Sequence, residues 1–453
     1  MAPEVDGIRA GDDRSPRSKG GVVLAVLLLA YILNIVDRQI IGILAIPIQA
    51  ELALSDTQLS LMGGIAFALF YSGIAIPIAW LADRRSRVDI MAVCVAIWCV
   101  FTALCGLAGN FWHLFLARMG VGVGEAGGIA PAYSLLSDYF PPERRTQVMA
   151  IFSFGVPIGS AIGIFCGGWI AENMDWRSAF IIIGLAGLPV ALLVKTLIDE
   201  PVRGRLDAIA SQEAAAPAPF AAVIRTVASK PSFWLLSLGA ASASIMGYGL
   251  QFWLPSFFTR SFDLALTEVS WFYGSILLIG GLGGIWFGGW LGARAGRANV
   301  AMFALVPGLC FLGSALVFAL ALSAPSIAVA WILFVIGQGM SFAWLGPVIN
   351  AVQHMVAPHM RVTASACFFF IVNLVGIGFG IFIIGFLSDV MAVTHGQESL
   401  RHSIFYGLGF YLLSTLLYLA ATRYLARDWH QAGDAETQAL RNGTHDYDMQ
   451  AVK

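Results

Sequence analysis

Apolar runs long enough to cross a bilayer recur from one end of the chain to the other, and they limit the fold more than any other feature. A spanning helix needs about 20 apolar residues. Twelve runs reach that length, at 21–49, 58–81, 89–109, 111–137, 148–171, 178–198, 233–258, 268–291, 299–321, 326–352, 362–391 and 402–425. The longer ones imply tilt or extension beyond the hydrocarbon. Only 12% of the residues are charged and 58% are hydrophobic, whereas a soluble chain carries about 25% charged residues. The apolar excess is therefore surface that faces lipid. The fold expected is an all-α membrane protein of twelve transmembrane helices. A net charge of −1 gives no electrostatic footprint for nucleic acid. No cleavable signal peptide is expected, because the first run has the length of a span.

The polar stretches divide these spans into two sets of six. Residues 1–19 and 426–453 read as tails without fixed structure. The longest internal polar stretch, 199–231, contains an Ala/Pro run and reads as a linker. The expected units are a tail 1–19, a six-helix bundle 20–198, the linker 199–231, a second six-helix bundle 232–425 and a tail 426–453. Of the 26 Lys and Arg residues, only Arg177, Arg260 and Arg401 fall on alternate loops of one side, while Arg38 and Arg118 fall inside spans. The rest crowd the other side, so the positive-inside rule places both termini in the cytoplasm. The residues after the second span, Trp80-Leu81-Ala82-Asp83-Arg84-Arg85-Ser86-Arg87, partly repeat after the eighth as Trp290-Leu291-Gly292-Ala293-Arg294-Ala295-Gly296-Arg297. Parallel repeats of this kind mark two pseudo-symmetric halves. Gly155, Gly159, Gly163 and Gly167 form a stripe in span 5, as do Gly280, Gly284, Gly288 and Gly292 in span 8. Such stripes let backbones approach closely, and the expectation is that they line the seam between halves. The six cysteines lie inside apolar runs without ligand spacing, and no metal or cofactor site is expected.

Charges inside the spans point to function, because each costs several kcal/mol unless paired or wet. Asp37 and Arg38 lie in span 1, with Asn34 one turn away. Glu125 and Arg118 lie in span 4, on one helical face with Gly122. Two acids and two bases at one depth could form ion pairs that only fix helix register. They could equally carry chemistry. Desolvation favours the neutral form of a carboxylate, so Glu125 and Asp37 are the candidates for proton coupling. Arg38, Arg118, Asn34 and Glu125 are the candidates for holding substrate, since a guanidinium fork suits phosphate or carboxylate. The small residues Gly124, Ala126, Gly127 and Gly128 suggest room around Glu125 for water or a head group. On the inner side, Asp83, Arg84, Arg87 and Asp138 are candidates for a gate that holds that side shut. Phe342, Trp344 and Phe368-Phe369-Phe370 could line an apolar corridor. His354 and His359 read as interfacial residues rather than ligands.

These motifs resemble the major facilitator superfamily over nearly the whole chain. Loop 79–87 is similar to its first conserved loop, with Ala79 in place of the usual glycine. Arg118-Met119-Gly120-Val121-Gly122-Val123-Gly124-Glu125-Ala126 is similar to its span-4 arginine motif, and Gly155-Val156-Pro157-Ile158-Gly159 to its span-5 glycine-proline motif. More narrowly, Asn34-Ile35-Val36-Asp37-Arg38, Gly122-Val123-Gly124-Glu125-Ala126, Ala130-Pro131 and Ser137-Asp138-Tyr139-Phe140-Pro141 resemble the Spinster branch. That resemblance implies a transporter, not an enzyme, that carries a lysophospholipid or sphingosine-phosphate-like lipid by alternating access. Protons, the lipid substrate and the bilayer are then its partners, and a monomer in a plasma or inner membrane is expected. Organic-anion symporters of the superfamily share similar span-1 and span-4 runs, so a proton-coupled carrier of small organic anions is the alternative. A non-transporting membrane receptor is a further one.

Overall fold

The structure is a computed structural model that describes residues 16–82, 84–202, 220–356 and 360–450. Among these, ten helical stretches are long and apolar enough to cross a membrane. The helix between the third and fourth of them, broken at residues 126–128, is another span, and the last stretch holds two, parted by a 3-10 turn at Gly396–Glu398. The twelve spans are α1 (Pro16–Ile43, continued by Ala45–Leu52), α2 (Asp56–Gly63 and Ile65–Ala82), α3 (Arg87–Cys105), α4 (Phe111–Glu125 and Ile129–Tyr139), α5 (Pro142–Ser153 and Gly155–Asn173) and α6 (Trp176–Leu197) in the first half. The second half has α7 (Pro231–Phe262), α8 (Leu266–Ala298), α9 (Met302–Leu322), α10 (Ile327–Phe342 and Leu345–His354), α11 (Arg361–His395) and α12 (Ser399–Gly407 and Gly409–Gln450). A short linker helix covers Phe220–Ala228. α12 runs on to Gln450, so much of the segment expected to be an unstructured tail is helical.

Short connections fix where helices begin. Ser55, Ser86, Asn110, Asp175 and Ser326 each accept a hydrogen bond from the backbone N–H three residues on, at the heads of α2, α3, α4, α6 and α10. These N-caps satisfy N–H groups that a helix start would otherwise leave bare.

The helix partners repeat between halves. α1 packs on α5 as α7 packs on α11, α2 on α4 as α8 on α10, and α3 on α6 as α9 on α12. Across the halves, α5 meets α8 and α2 meets α11. The glycine stripes belong to the first kind of contact, contrary to the expectation that they line the seam. A Cβ at Gly159 or Gly163 would lie 2.7 Å or 2.9 Å from the backbone of α1, and one at Gly284 or Gly288 would lie 2.1 Å or 2.2 Å from the backbone of α10. Each stripe brings two helices of one bundle together. The seam uses neighbouring residues turned away from the stripe: Gly168 faces Ser270, Gly274 faces Ala161 and Gly281 faces Pro157.

The side of the bundle that carries the linker is here the linker face, and the opposite side the far face. A set of hydrogen bonds and ion pairs joins the halves between mid-depth and the far face. Arg260 at the end of α7 donates to both oxygens of Asp56 at 2.7 and 2.8 Å, and to Gln49 at 3.0 Å. Ser388 of α11 donates to Asp56 at 2.7 Å. The Asp389 carboxylate accepts from the backbone N–H groups of Asp56 (3.1 Å) and Thr57 (2.7 Å), so the second half caps α2 of the first. Glu172 accepts from Thr267 N–H, and Gln251 donates to Ser160 at 3.4 Å. The halves are closed at the far face.

Candidate functional site

The charges of α1 and α4 meet as two crossed pairs. Arg38 Nε donates to Glu125 Oε2 at 2.6 Å, and Arg118 Nη1 lies 3.7 Å from Asp37 Oδ1. Asn34 is buried one turn away on α1. The structure thus brings together all the in-span residues expected to bind protons or substrate. Their exposures differ: the side chains of Glu125, Arg118 and Asp37 are 0%, 2% and 3% exposed, while Arg38 is 18% exposed. One cation of the four reaches the surface, with a fully buried acid directly behind it.

Backbone geometry sets this up. Gly122 lets α2 approach α4, since a Cβ there would sit 3.3 Å from the Phe67 carbonyl oxygen. Just beyond Glu125 the helix tightens, with Gly127 N–H bonded to Gly124 O and Gly128 N–H to Glu125 O. Tightened turns of this kind often mark functional positions. The small residues around Glu125 leave no room for a head group, contrary to expectation. A Cβ at Gly124 would lie 2.6 Å from the Trp98 backbone nitrogen, and one at Gly127 would lie 2.2 Å from Cys94 Sγ. α3 fills that side, and the open side of the site is Arg38.

The pairing is incomplete. Both polar atoms of Asn34, both oxygens of Asp37, Glu125 Oε1, Thr102 Oγ1, Arg118 Nε and Nη1, and Arg38 Nη2 are buried without a hydrogen bond to a described residue. Each such group costs roughly 1–3 kcal/mol when unsatisfied. The site therefore holds donors and acceptors for a ligand group or for water. A small cavity beside Asn34 is lined by Leu27, Tyr31, Trp98 and Phe152, and another beside Asp37 by Leu33, Cys99, Thr102 and Gly184.

Several contributors were not expected from the sequence. Phe67 and Tyr71 of α2 stack on each other at 5.6 Å; Phe67 lies against both arginines and Tyr71 against Arg38. Tyr248 of α7, from the other half, donates to Asn373 of α11 at 3.3 Å. The usable hint was Gly122 on the charged face of α4, which marks where a neighbouring helix must come close. Sequence alone does not say which helix.

The model of the Major Facilitator Superfamily matches residues 27–381. The chain belongs to that superfamily. It is 32% identical to an "MFS-type efflux pump" of Mycolicibacterium smegmatis, over 91% of this chain and 95% of the relative. It is 30% identical to "Protein spinster homolog 1" of Mus musculus (82% and 74%), and 26% identical to the "Sphingosine-1-phosphate transporter SPNS2" of the same organism (89% and 76%). A solved bacterial homologue of the human lysosomal transporter Spinster, inward-facing and unoccupied, superposes with a TM-score of 0.82 at 30% identity, covering 92% of this chain and 99% of that one. The chain is a Spinster-branch transporter rather than an enzyme.

The candidate gate lies within the first half of this transporter. Arg87 is buried at the head of α3 and donates to Asp138 (2.5 Å) and Ser134 (2.7 Å) of α4, and to Glu200 (2.7 Å) beyond α6. Glu200 was not among the expected residues. Arg84 is exposed, with its guanidinium 3.9 Å over the Trp80 ring. Asp83 lies outside the described residues. Among the corridor candidates, Phe368 is buried and packs on Trp344, whereas Phe370 is 50% exposed. His354 stacks on Trp429 at 4.6 Å, and His359 lies outside the described residues.

Proposed function

We propose that this Spinster-branch protein carries an amphipathic lipid with a phosphate-bearing head, of the lysophospholipid or sphingosine-phosphate type, by alternating access coupled to protons. The observation that carries this is the exposure of Arg38 with Glu125 wholly buried behind it at 2.6 Å. Protonation of Glu125 removes the partner of Arg38 and frees its fork for an anionic head. Binding of that head favours the protonated acid in turn, so substrate and proton are linked through one guanidinium. Asp37 and Arg118 form the inner pair that holds the second acid. Asn34 supplies further donors and acceptors at the same depth. The linker face is the cytoplasmic one, by the distribution of Lys and Arg. Opening that face and closing the other around the site completes the cycle. Asp83, Arg84, Arg87 and Asp138 belong to the machinery that shuts the linker face in the opposite state.

The test is uptake by proteoliposomes of sphingosine 1-phosphate, lysophosphatidylcholine and gluconate, with and without a pH gradient. Saturable, gradient-dependent uptake of a lysolipid supports the proposal. Uptake of gluconate alone moves the substrate to small organic anions. The absence of any flux leaves the receptor alternative.

A further inference from the structure

Arg38 sits between two partners of different kinds. On one side is the Glu125 carboxylate, and on the other a pair of aromatic rings from α2. The Arg38 guanidinium carbon lies 4.6 Å from the centre of the Tyr71 ring and 5.2 Å from that of Phe67. The Arg118 guanidinium carbon lies 5.6 Å from the same Phe67 ring. Phe67 and Tyr71 are one turn apart on α2, with ring planes only 11° from parallel. Together they form one π surface that runs from the inner arginine to the outer-facing one. Gly122 presses α4 against α2 at this level, as its close approach to the Phe67 carbonyl and the Tyr71 nitrogen shows.

We infer that Phe67 and Tyr71 are positioning residues that hold the Arg38 guanidinium in place when Glu125 takes up its proton. This rests on the coupling proposed above and deepens it. With Glu125 ionised, the cation has a carboxylate at hydrogen-bond distance and needs the ring little. With Glu125 neutral, the rings become the nearest protein partner of the cation, alongside Asp37 and the water on its open side, so their attraction counts for more. The ring therefore stabilises the protonated state more than the ionised one. The rings lie against the guanidinium, with its Nε on Glu125, and the partly exposed side is where an anionic head would meet it. Charged and titratable neighbours that bear on the pair are Tyr31 and Asp37 of α1, Tyr71 of α2, Cys99 of α3, Arg118 of α4 and Tyr248 of α7. Of these, the rings of α2 are the ones stacked on the cation.

The consequence is a shift in the pH response that no substrate is needed to observe. Spin labels on the linker-face ends of α4 and α10 report the ratio of inward- to outward-open protein in nanodiscs as pH is varied. Tyr71→Phe keeps the ring and drops only the hydroxyl that Arg38 also meets, and is expected to move the midpoint much less than loss of the ring. Tyr71→Leu removes the ring and is expected to move the midpoint toward acid by about one pH unit, a tenfold change in proton concentration. Phe67→Leu is expected to move it the same way by less, and serves if Tyr71→Leu does not reach the membrane. A midpoint unmoved by either leucine overturns the inference, as does an equal shift in Tyr71→Phe. Glu125→Gln separates this from the parent proposal. If the wild-type pH response persists in Glu125→Gln, the coupling itself is wrong. If it vanishes there but ignores the leucines, the rings alone are wrongly assigned.

Discussion

At the scale of single residues, substitutions of Arg38 and Glu125 are expected to have different effects, because one side chain is partly exposed and the other wholly buried. Glu125→Gln is expected to retain lipid binding and lose stimulation by a pH gradient, since the amide imitates the neutral acid. Gradient-driven uptake at the wild-type rate in that variant would sink its role as carrier. Arg38→Lys keeps the charge but replaces a planar fork with a point donor, so the half-saturation concentration for substrate should rise about tenfold while the pH response persists. A lysine that transports with unchanged half-saturation would argue against direct contact between Arg38 and the head. Arg38→Ala leaves a fully buried carboxylate without its partner, and detergent-solubilised protein should lose about 3 kcal/mol of stability. The ionic members of this site were legible in the sequence, because a charge inside an apolar run is conspicuous whatever packs around it. Phe67, Tyr71 and Tyr248 were not, because an aromatic residue in an apolar run looks the same whether it meets lipid, core or a cation.

At the scale of helices, the glycine positions separate two kinds of contact. Gly284 lies where a Cβ would be 2.1 Å from the Gly339 carbonyl oxygen, whereas at Gly283 a Cβ meets nothing within 4 Å. Gly284→Ala should therefore destabilise the second bundle by about 1–3 kcal/mol, and Gly283→Ala should leave the thermal midpoint where it is. Equal behaviour of the two would mean that α8 and α10 are not as close as described. Period-four glycines announced a tightly packed face but not its partner. The stripe was expected at the seam and proved to face α1 and α10, because which helix lies opposite depends on the tertiary arrangement. The far-face cluster makes a separate prediction. Arg260 ties α7 to α2 through Asp56 and Gln49. Arg260→Ala should shift the equilibrium toward the state open at the far face by about 2 kcal/mol, or roughly thirtyfold. Distances between labels on the far-face ends of α2 and α11 measure it, and unchanged populations would show that other contacts hold that face closed. Arg260 was recognisable in the sequence as a charge on a loop, yet its partners lie far away in the chain and only the fold reveals them.

At the scale of the whole molecule, twelve spans in two halves were readable because bilayer thickness imposes a length on each helix and charge imposes a side on each loop. The state of the transporter was not readable, since one sequence must serve every conformation of the cycle. The continuation of α12 past the last span was hidden by its polar composition. One further property follows from Gly167 and Gly168. The first packs against Ile43 and Ile40 of α1 within its bundle, and the second against Ser270 of α8 in the other. A turn of about 100° around a single helix thus divides what keeps a bundle whole from what lets two bundles slip. Natural variation at the first position is answerable to the yield of folded protein, and at the second to turnover.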